Sequence, residues 1–271
     1  MKILSSTLLS LVFFFSNAQA IAISLDPKYD FNGIVKLKDC SGSIIKFSGM
    51  PDSAKAIVMT NGHCLDDSLG GPLDPNTYIA NRPALISMKV YNQNQALVPI
   101  NATKVLYATM TKTDVTLYEL KESYTELTKK GVAAFDLDTN HPALGTSIDI
   151  ISGYWDRGYR CNIDAFIYRL KEADWTMNDS IRYSNKGCNT IGGTSGAPLI
   201  ETGTRSVIGI NNTGNDDGER CTMDNPCEVD EEGKIEVRIN ASYGQQTYEI
   251  YSCLTLDFRI DLGKFGCGLF R

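Results

Sequence analysis

Histidine is nearly missing from this chain: His63 and His141 are the two imidazoles in 271 residues. No Cys-x-x-Cys pair makes up for them, so a zinc centre has neither ligand type at a usable spacing, and no metal or other cofactor is expected. Positive charge is also short, since 26 Lys and Arg against 32 Asp and Glu leave a net charge of −6. A surface that coats a phosphate backbone is thereby excluded, and nucleic acid is not expected as a partner. Beyond the first twenty residues no run reaches the roughly 18 consecutive apolar residues that a membrane helix requires. Nine prolines with 23 glycines in no fixed period exclude a collagen-like chain. The absence of any internal repeat excludes solenoids and propellers.

What is present describes a globular exported chain. With 42% apolar residues there is enough hydrophobic surface to offset the entropy of ordering. The length allows one large domain or two small fused barrels. Lys2, the apolar stretch from Ile3 to Phe15 and the small-residue site Ala18-Gln19-Ala20 form the three parts of a signal peptide. Residues 1–20 are therefore expected to be removed, leaving a secreted or periplasmic protein, not held in a membrane and expected to be a monomer. Eight cysteines, an even number in an exported chain, read as disulfides. They allow 105 connectivities, of which the simplest joins nearest neighbours: Cys40 to Cys64, Cys161 to Cys188, Cys221 to Cys227 and Cys253 to Cys267.

Short β-branched and alternating stretches dominate, so the fold class is all-β. Strands are expected at 33–38, 43–48, 54–60, 84–91, 103–108 and 114–120, then at 147–152, 162–169, 180–184, 197–200 and 206–210. One helical patch, 122–130, separates the two groups and marks the boundary between two β halves. In the second half, strands 162–169 and 180–184 are expected to pair about a polar connection from Glu172 to Asp179, which sets Cys161 nearly opposite Cys188. The stretch 243–254 is read as a further strand.

Three stretches carry chemistry: Thr60-Asn61-Gly62-His63-Cys64, Thr113-Asp114-Val115-Thr116-Leu117 and Gly192-Gly193-Thr194-Ser195-Gly196-Ala197-Pro198. A serine hydroxyl becomes a nucleophile when a neutral imidazole takes its proton, and that imidazole needs a carboxylate to fix its tautomer and stabilise its cation. Glycines around a serine let backbone N–H groups converge on one point. Asp66 and Asp67 are nearer to His63 in sequence, but a strand-borne Asp114 leading Val115, Leu117 and Leu120 is better suited to burial behind the ring. His141, just before Pro142, reads as a surface turn residue. Asn215 to Glu219 lacks the alternating ligand pattern of a calcium loop and reads as a solvated turn.

The order His, Asp, Ser, the cysteine directly after His63 with Cys40 upstream, and Gly-x-Ser-Gly-x-Pro around Ser195 together resemble the chymotrypsin-like serine peptidases. Within that family, Thr190 to Gly196 followed by Val207-Ile208-Gly209-Ile210 is most similar to the bacterial glutamyl endopeptidase branch. The resemblance implies two antiparallel six-stranded β-barrels packed face to face, with the active site in the cleft between them. It places the N-terminal barrel at 21–125 and the C-terminal barrel, with a disulfide-bonded C-terminal extension, at 126–271. It further implies a serine endopeptidase acting on protein or peptide substrate: Ser195 as nucleophile, His63 as general base, Asp114 as its orienting carboxylate, and the N–H groups of Gly193 and Ser195 as oxyanion hole. The primary pocket is expected between Asn189-Thr190 and Asn211-Asn212-Thr213. No ionisable side chain stands in those two stretches, so neutral substrate side chains are expected there unless Asp216, Asp217, Glu219 or Arg220 of the following loop reaches in. Thr194 replaces the Asp that pairs with a new N-terminus in the digestive branch, and Asn211 replaces the His of the glutamyl branch. A silent β-barrel binding protein on the same scaffold is the alternative from another class. An α/β esterase is disfavoured by the chain order.

Overall fold

The computed structural model describes residues 25–183 and 186–271. The expected signal peptide and Ser184, the expected end of one strand, lie outside the described residues. Six strands build the first half: β1 (Ile34–Lys36), β2 (Ser41–Lys46), β3 (Lys55–Thr60), β4 (Tyr78–Tyr91), β5 (Leu97–Thr109) and β6 (Val115–Ser123). They pair antiparallel in the order β1-β4-β5-β6-β3-β2, and β2 pairs back onto β1, so the sheet closes on itself. The period-2 pattern explains the inside of this circuit. Along β4, Ala84, Ile86, Met88 and Val90 are buried while the residues between them are exposed. They meet Val35, Ile44, Val58, Ile100 and Tyr118 in one core.

A short helix, α1 (Tyr124–Lys129), ends the first half where helical spacing is expected. Its start is set by a capping box in which Ser123 and Glu126 exchange side-chain and backbone hydrogen bonds. After β7 (Phe135–Leu137) come β8 (Ser147–Ser152), β9 (Arg157–Glu172), β10 (Trp175–Tyr183), β11 (Pro198–Glu201) and β12 (Ser206–Gly214). The last three strands are β13 (Cys227–Val229), β14 (Ile235–Val237) and β15 (Ser242–Gln246). A second antiparallel circuit of six strands runs β12-β11-β8-β9-β10-β15 and closes from β15 onto β12. Its interior holds Ile148, Ile150, Tyr159, Ile181, Tyr183 and Leu199. β7 lies parallel to both β2 and β12 and ties the circuits together. A shared core crosses between them, with Phe31, Tyr107 and Leu117 from the first half against Ile151, Val207 and Ile210 from the second. The chain is thus all-β, in two six-stranded barrels.

Two expectations need correction. The connection expected from Glu172 to Asp179 is strand almost throughout. β9 and β10 are joined by two residues, and Ala173 adopts φ +46° to make that tight reversal. Sequence alternation missed it because the exposed face there is polar. The stretch 243–254 is strand only to Gln246, after which Tyr248–Cys253 forms a 3₁₀ turn. Ile250 and Cys253, three apart, share a buried face at the period of that helix. The chain then returns over the first barrel, where Tyr107 Oη donates to the Phe270 carbonyl at 2.8 Å.

The β9–β10 hairpin reaches out of its barrel to touch the other one. Lys112 N–H donates to the Thr176 carbonyl at 3.0 Å, and Asn178 N–H donates to the Lys112 carbonyl at 2.8 Å. Trp175 Nε1 donates to the Leu73 carbonyl at 3.0 Å. These contacts fix the hairpin tip beside the start of β6, where Asp114 stands.

Candidate active site

β3 ends at Thr60, and the chain turns through Asn61 and Gly62 to present His63. Cys64 is joined to Cys40 with Cα atoms 6.1 Å apart, so the loop after the histidine is pinned to the segment leading into β2. Asp114 immediately precedes β6 and is 2% exposed. Its Oδ2 lies 2.7 Å from His63 Nδ1, and its Oδ1 accepts from the His63 backbone N–H at 3.0 Å. Asn61 Nδ2 donates to the Asp114 carbonyl at 2.9 Å. The carboxylate therefore grips both backbone and ring, placing the proton on Nδ1 and leaving Nε2 as the free basic nitrogen. Burial disfavours the imidazolium, but the charge of Asp114 and its hydrogen bond outweigh that, and Glu172 and Asp224 add to the field. The His63 pKa is accordingly raised above the ordinary imidazole value.

Ser195 sits on a turn held by the first barrel. Its carbonyl accepts from Ser41 N–H at 2.8 Å, while Ser41 Oγ donates to the Gly193 carbonyl at 3.0 Å. Two glycines are required by this geometry. Gly193 has φ +87° and a Cβ there would lie 2.5 Å from Tyr154 Cδ1. Gly196 has φ +80° and a Cβ there would lie 2.2 Å from the Ser41 carbonyl oxygen. Neither the Gly193 nor the Ser195 N–H takes part in a backbone hydrogen bond among the described residues, whereas Thr194 N–H donates to Ile191 and Gly196 N–H to Asn211. Ser195 Oγ donates to the Asn212 carbonyl at 3.2 Å, and among the described residues it makes no hydrogen bond to His63.

His63, Asp114 and Ser195 all line one cavity of about 270 Å³. Of the residues expected to form the pocket, Thr190, Asn211, Asn212 and Thr213 line this cavity, but Asn189 does not and is exposed to solvent. The two stretches themselves carry no charge, but Asp216 of the following loop does line the cavity, and so do Glu172 and Asp224, which the sequence reading did not name. Glu172 is the last residue of β9 and 8% exposed. Its Oε1 accepts from Thr213 Oγ at 3.0 Å and from Asp224 N–H at 2.8 Å. Burial pushes its carboxyl pKa up to about 7. Asp224 is brought to the rim by a loop that the Cys221–Cys227 disulfide closes. Sequence reading missed Glu172 because it looked like part of a solvated connection. The signal available was the tight turn directly after it.

The structure also joins Cys161 to Cys188 and Cys253 to Cys267. Among the described residues one group of metal-capable atoms converges, Cys40, His63 and Cys64, and both of its sulfurs are spent in the disulfide. No described helix is long and apolar enough to cross a membrane.

No curated protein matches the sequence. Among solved structures, the protease domain of MamO from Magnetospirillum magneticum is similar at a TM-score of 0.51 and 14% identity, over 83% of this chain and 97% of that one. The inactive form of Rv3671c protease is similar at a TM-score of 0.46 and 16% identity, over 83% of this chain and 92% of that one. At these identities the first likeness speaks to the fold. Residues 40–210 match the trypsin-like peptidase domain. With that match spanning more than half its length, the chain belongs to the trypsin-like peptidase family.

Proposed function

We propose that this protein is a serine endopeptidase, secreted or periplasmic, that cleaves protein substrates through an acyl-enzyme. The observation that carries the reading is the His63 Nδ1 to Asp114 Oδ2 contact at 2.7 Å, opening onto the cavity that Ser195 also lines. Ser195 Oγ attacks the scissile carbonyl while His63 Nε2 takes its proton. Asp114 holds the ring and stabilises the imidazolium. The N–H groups of Gly193 and Ser195 receive the oxyanion, and His63 returns the proton to the leaving amine. Water then hydrolyses the ester on Ser195 by the same route in reverse. The Ser195 hydroxyl, bonded here to the Asn212 carbonyl, has to turn to His63 for attack, and catalytic hydrogen bonds of this kind commonly form only in the substrate complex.

Residues 1–20 are read as the signal peptide, 21–125 as the N-terminal barrel and 126–271 as the C-terminal barrel with its extension. Within the family, the stretches around Ser195 and Ile210 favour the glutamyl endopeptidase branch as the nearest in sequence style. Four disulfides among the described residues support an extracytoplasmic location. The Ser195 to Asn212 hydrogen bond favours a second reading, a silent binding protein on this scaffold. Turnover of a denatured protein substrate separates the two. Ser195→Ala and His63→Ala are each expected to lower it by several orders of magnitude in folded protein. Equal rates in wild type and Ser195→Ala would leave the binding protein.

A further inference from the structure

An oxyanion site needs free N–H groups, and the loop around Ser195 frees them by binding its carbonyls one after another. The Ile191 carbonyl accepts from Thr194 N–H at 3.0 Å, that of Thr194 from Ala197 N–H at 3.0 Å, and that of Ser195 from Ser41 N–H at 2.8 Å. The Gly193 carbonyl accepts from Ser41 Oγ at 3.0 Å. The remaining one, that of Gly192, accepts from the indole Nε1 of Trp155 at 2.7 Å. Trp155 belongs to the turn between β8 and β9 and does not line the cavity.

The indole bond decides which way the Gly192–Gly193 peptide faces. A peptide flanked by glycines can turn over as a unit, because glycine accepts either sign of φ. Nothing stands within 4 Å of a Cβ built on Gly192, so packing on that side leaves the rotation open. The peptide is trans, and its C=O and N–H point in opposite directions. With the Gly192 carbonyl on the indole, the Gly193 N–H is aimed away from Trp155 and takes part in no backbone hydrogen bond among the described residues. The reversed peptide would set N–H against N–H, since the indole nitrogen is a donor only. The turn that carries Trp155 is itself held. Trp155 N–H donates to Ser152 Oγ at 3.2 Å, and Ser152 Oγ lies 3.0 Å from the same Ser41 Oγ that reaches the Gly193 carbonyl. The next residue, Asp156, is 8% exposed and receives Lys36 Nζ at 3.0 Å and Tyr91 Oη, both from the first barrel.

We propose that Trp155 is a positioning residue of the oxyanion hole: its indole N–H holds the Gly192–Gly193 peptide in the one orientation that turns the Gly193 N–H toward the substrate oxyanion. The assignment rests on the peptidase reading and adds to it a residue that lies outside the three catalytic stretches. Trp155 acts through the peptide it grips and does not touch the reacting atoms.

The test is hydrolysis of a peptide substrate by the mature chain and by Trp155→Phe, with two inhibitors of the same peptide sequence. Phenylalanine keeps an aromatic ring beside Tyr154 and removes the N–H. The expected result is a fall in kcat of roughly 10- to 100-fold with KM changed less than about threefold, short of the full loss of an oxyanion donor because the Gly193 N–H is still present but no longer held. A peptide aldehyde, whose adduct with Ser195 presents an oxygen to the hole, is expected to weaken by the same factor as kcat/KM. The matching peptide alcohol forms no adduct and is expected to bind both proteins alike. Thermal unfolding checks that the variant is folded. Should it not fold, the indole is exchanged for benzothiophene, which has the same outline with sulfur in place of N–H, and the same readings decide. An unchanged kcat in the folded variant, or a loss carried by KM in which aldehyde and alcohol weaken together, overturns the role of Trp155 and leaves the peptidase intact. Wild type that neither hydrolyses peptides nor reacts with a fluorophosphonate overturns the peptidase reading and this role with it.

Discussion

Both histidines of this chain lie beside an aspartate, and the two pairs are built for different ends. His63 meets Asp114 at 2.7 Å, where the carboxylate is 3% exposed. His141 meets Asp179 at 3.3 Å, where the carboxylate is 37% exposed. The decisive difference is which ring nitrogen is spent. Asp114 engages Nδ1 and leaves Nε2 open to the cavity. At His141, Nδ1 lies 2.7 Å from the Pro142 carbonyl and Nε2 lies 2.8 Å from Gln246 Nε2, which itself donates to Asp179. Both nitrogens are engaged, and the ring is packed edge-on against Phe166 and Tyr248. A proton acceptor needs a nitrogen with nothing else to do, and only the first pair supplies one. His141 stands at the surface, as expected, and its ring is the hub of these polar and aromatic contacts.

Removing the carboxylate from each pair sharpens that contrast most strongly. Asp114→Asn is expected to lower kcat/KM by about 10⁴-fold, because an amide can hold the ring in the wrong tautomer and cannot stabilise its cation. Asp179→Asn is expected to change it by less than about threefold, since exposed polar substitutions remote from the chemistry have small effects. Steady-state kinetics on a single peptide substrate checks both, and comparable losses would erase the distinction between the pairs.

The next largest effect is on stability. His63 is followed by a bridged cysteine, whereas His141 has no covalent tie nearby. Replacing Cys40 and Cys64 together by serine is expected to cost about 2 to 5 kcal/mol in denaturant unfolding. A loss below 1 kcal/mol would mean that the hydrogen bonds of Asp114, rather than the disulfide, hold the His63 loop.

How far these features could be read from the sequence depends on how local their causes are. His63, Asp114 and Ser195 each stand at the end of a strand or on a glycine turn, so residue type and neighbours announce them. The first barrel was legible because stretches such as β4 alternate buried and exposed residues. The pocket was not. Asp216 follows the pocket stretch in sequence and could be anticipated, but Glu172 lies in a stretch whose polar residues resemble a loop, next to the β9–β10 tip that pairs with Lys112 of the other barrel. Asn189, by contrast, sits near the nucleophile in sequence yet faces solvent, so proximity along the chain named the wrong residue. A 3₁₀ turn at Tyr248–Cys253 was hidden for a similar reason: β-branched and aromatic composition favours strand until burial at a spacing of three is seen.

The most direct test of the account is the rate at which a fluorophosphonate labels the mature chain, followed across pH with the adduct mapped by peptide mass spectrometry. His63 must be neutral to accept the serine proton, and its pKa is raised, so labelling is slow while the imidazole is protonated and rises as pH climbs through that elevated value. The account predicts a single adduct on Ser195, formed along that rising profile and abolished in practice by His63→Ala. An adduct elsewhere, or labelling of Ser195 that neither depends on pH nor falls in His63→Ala, would contradict it.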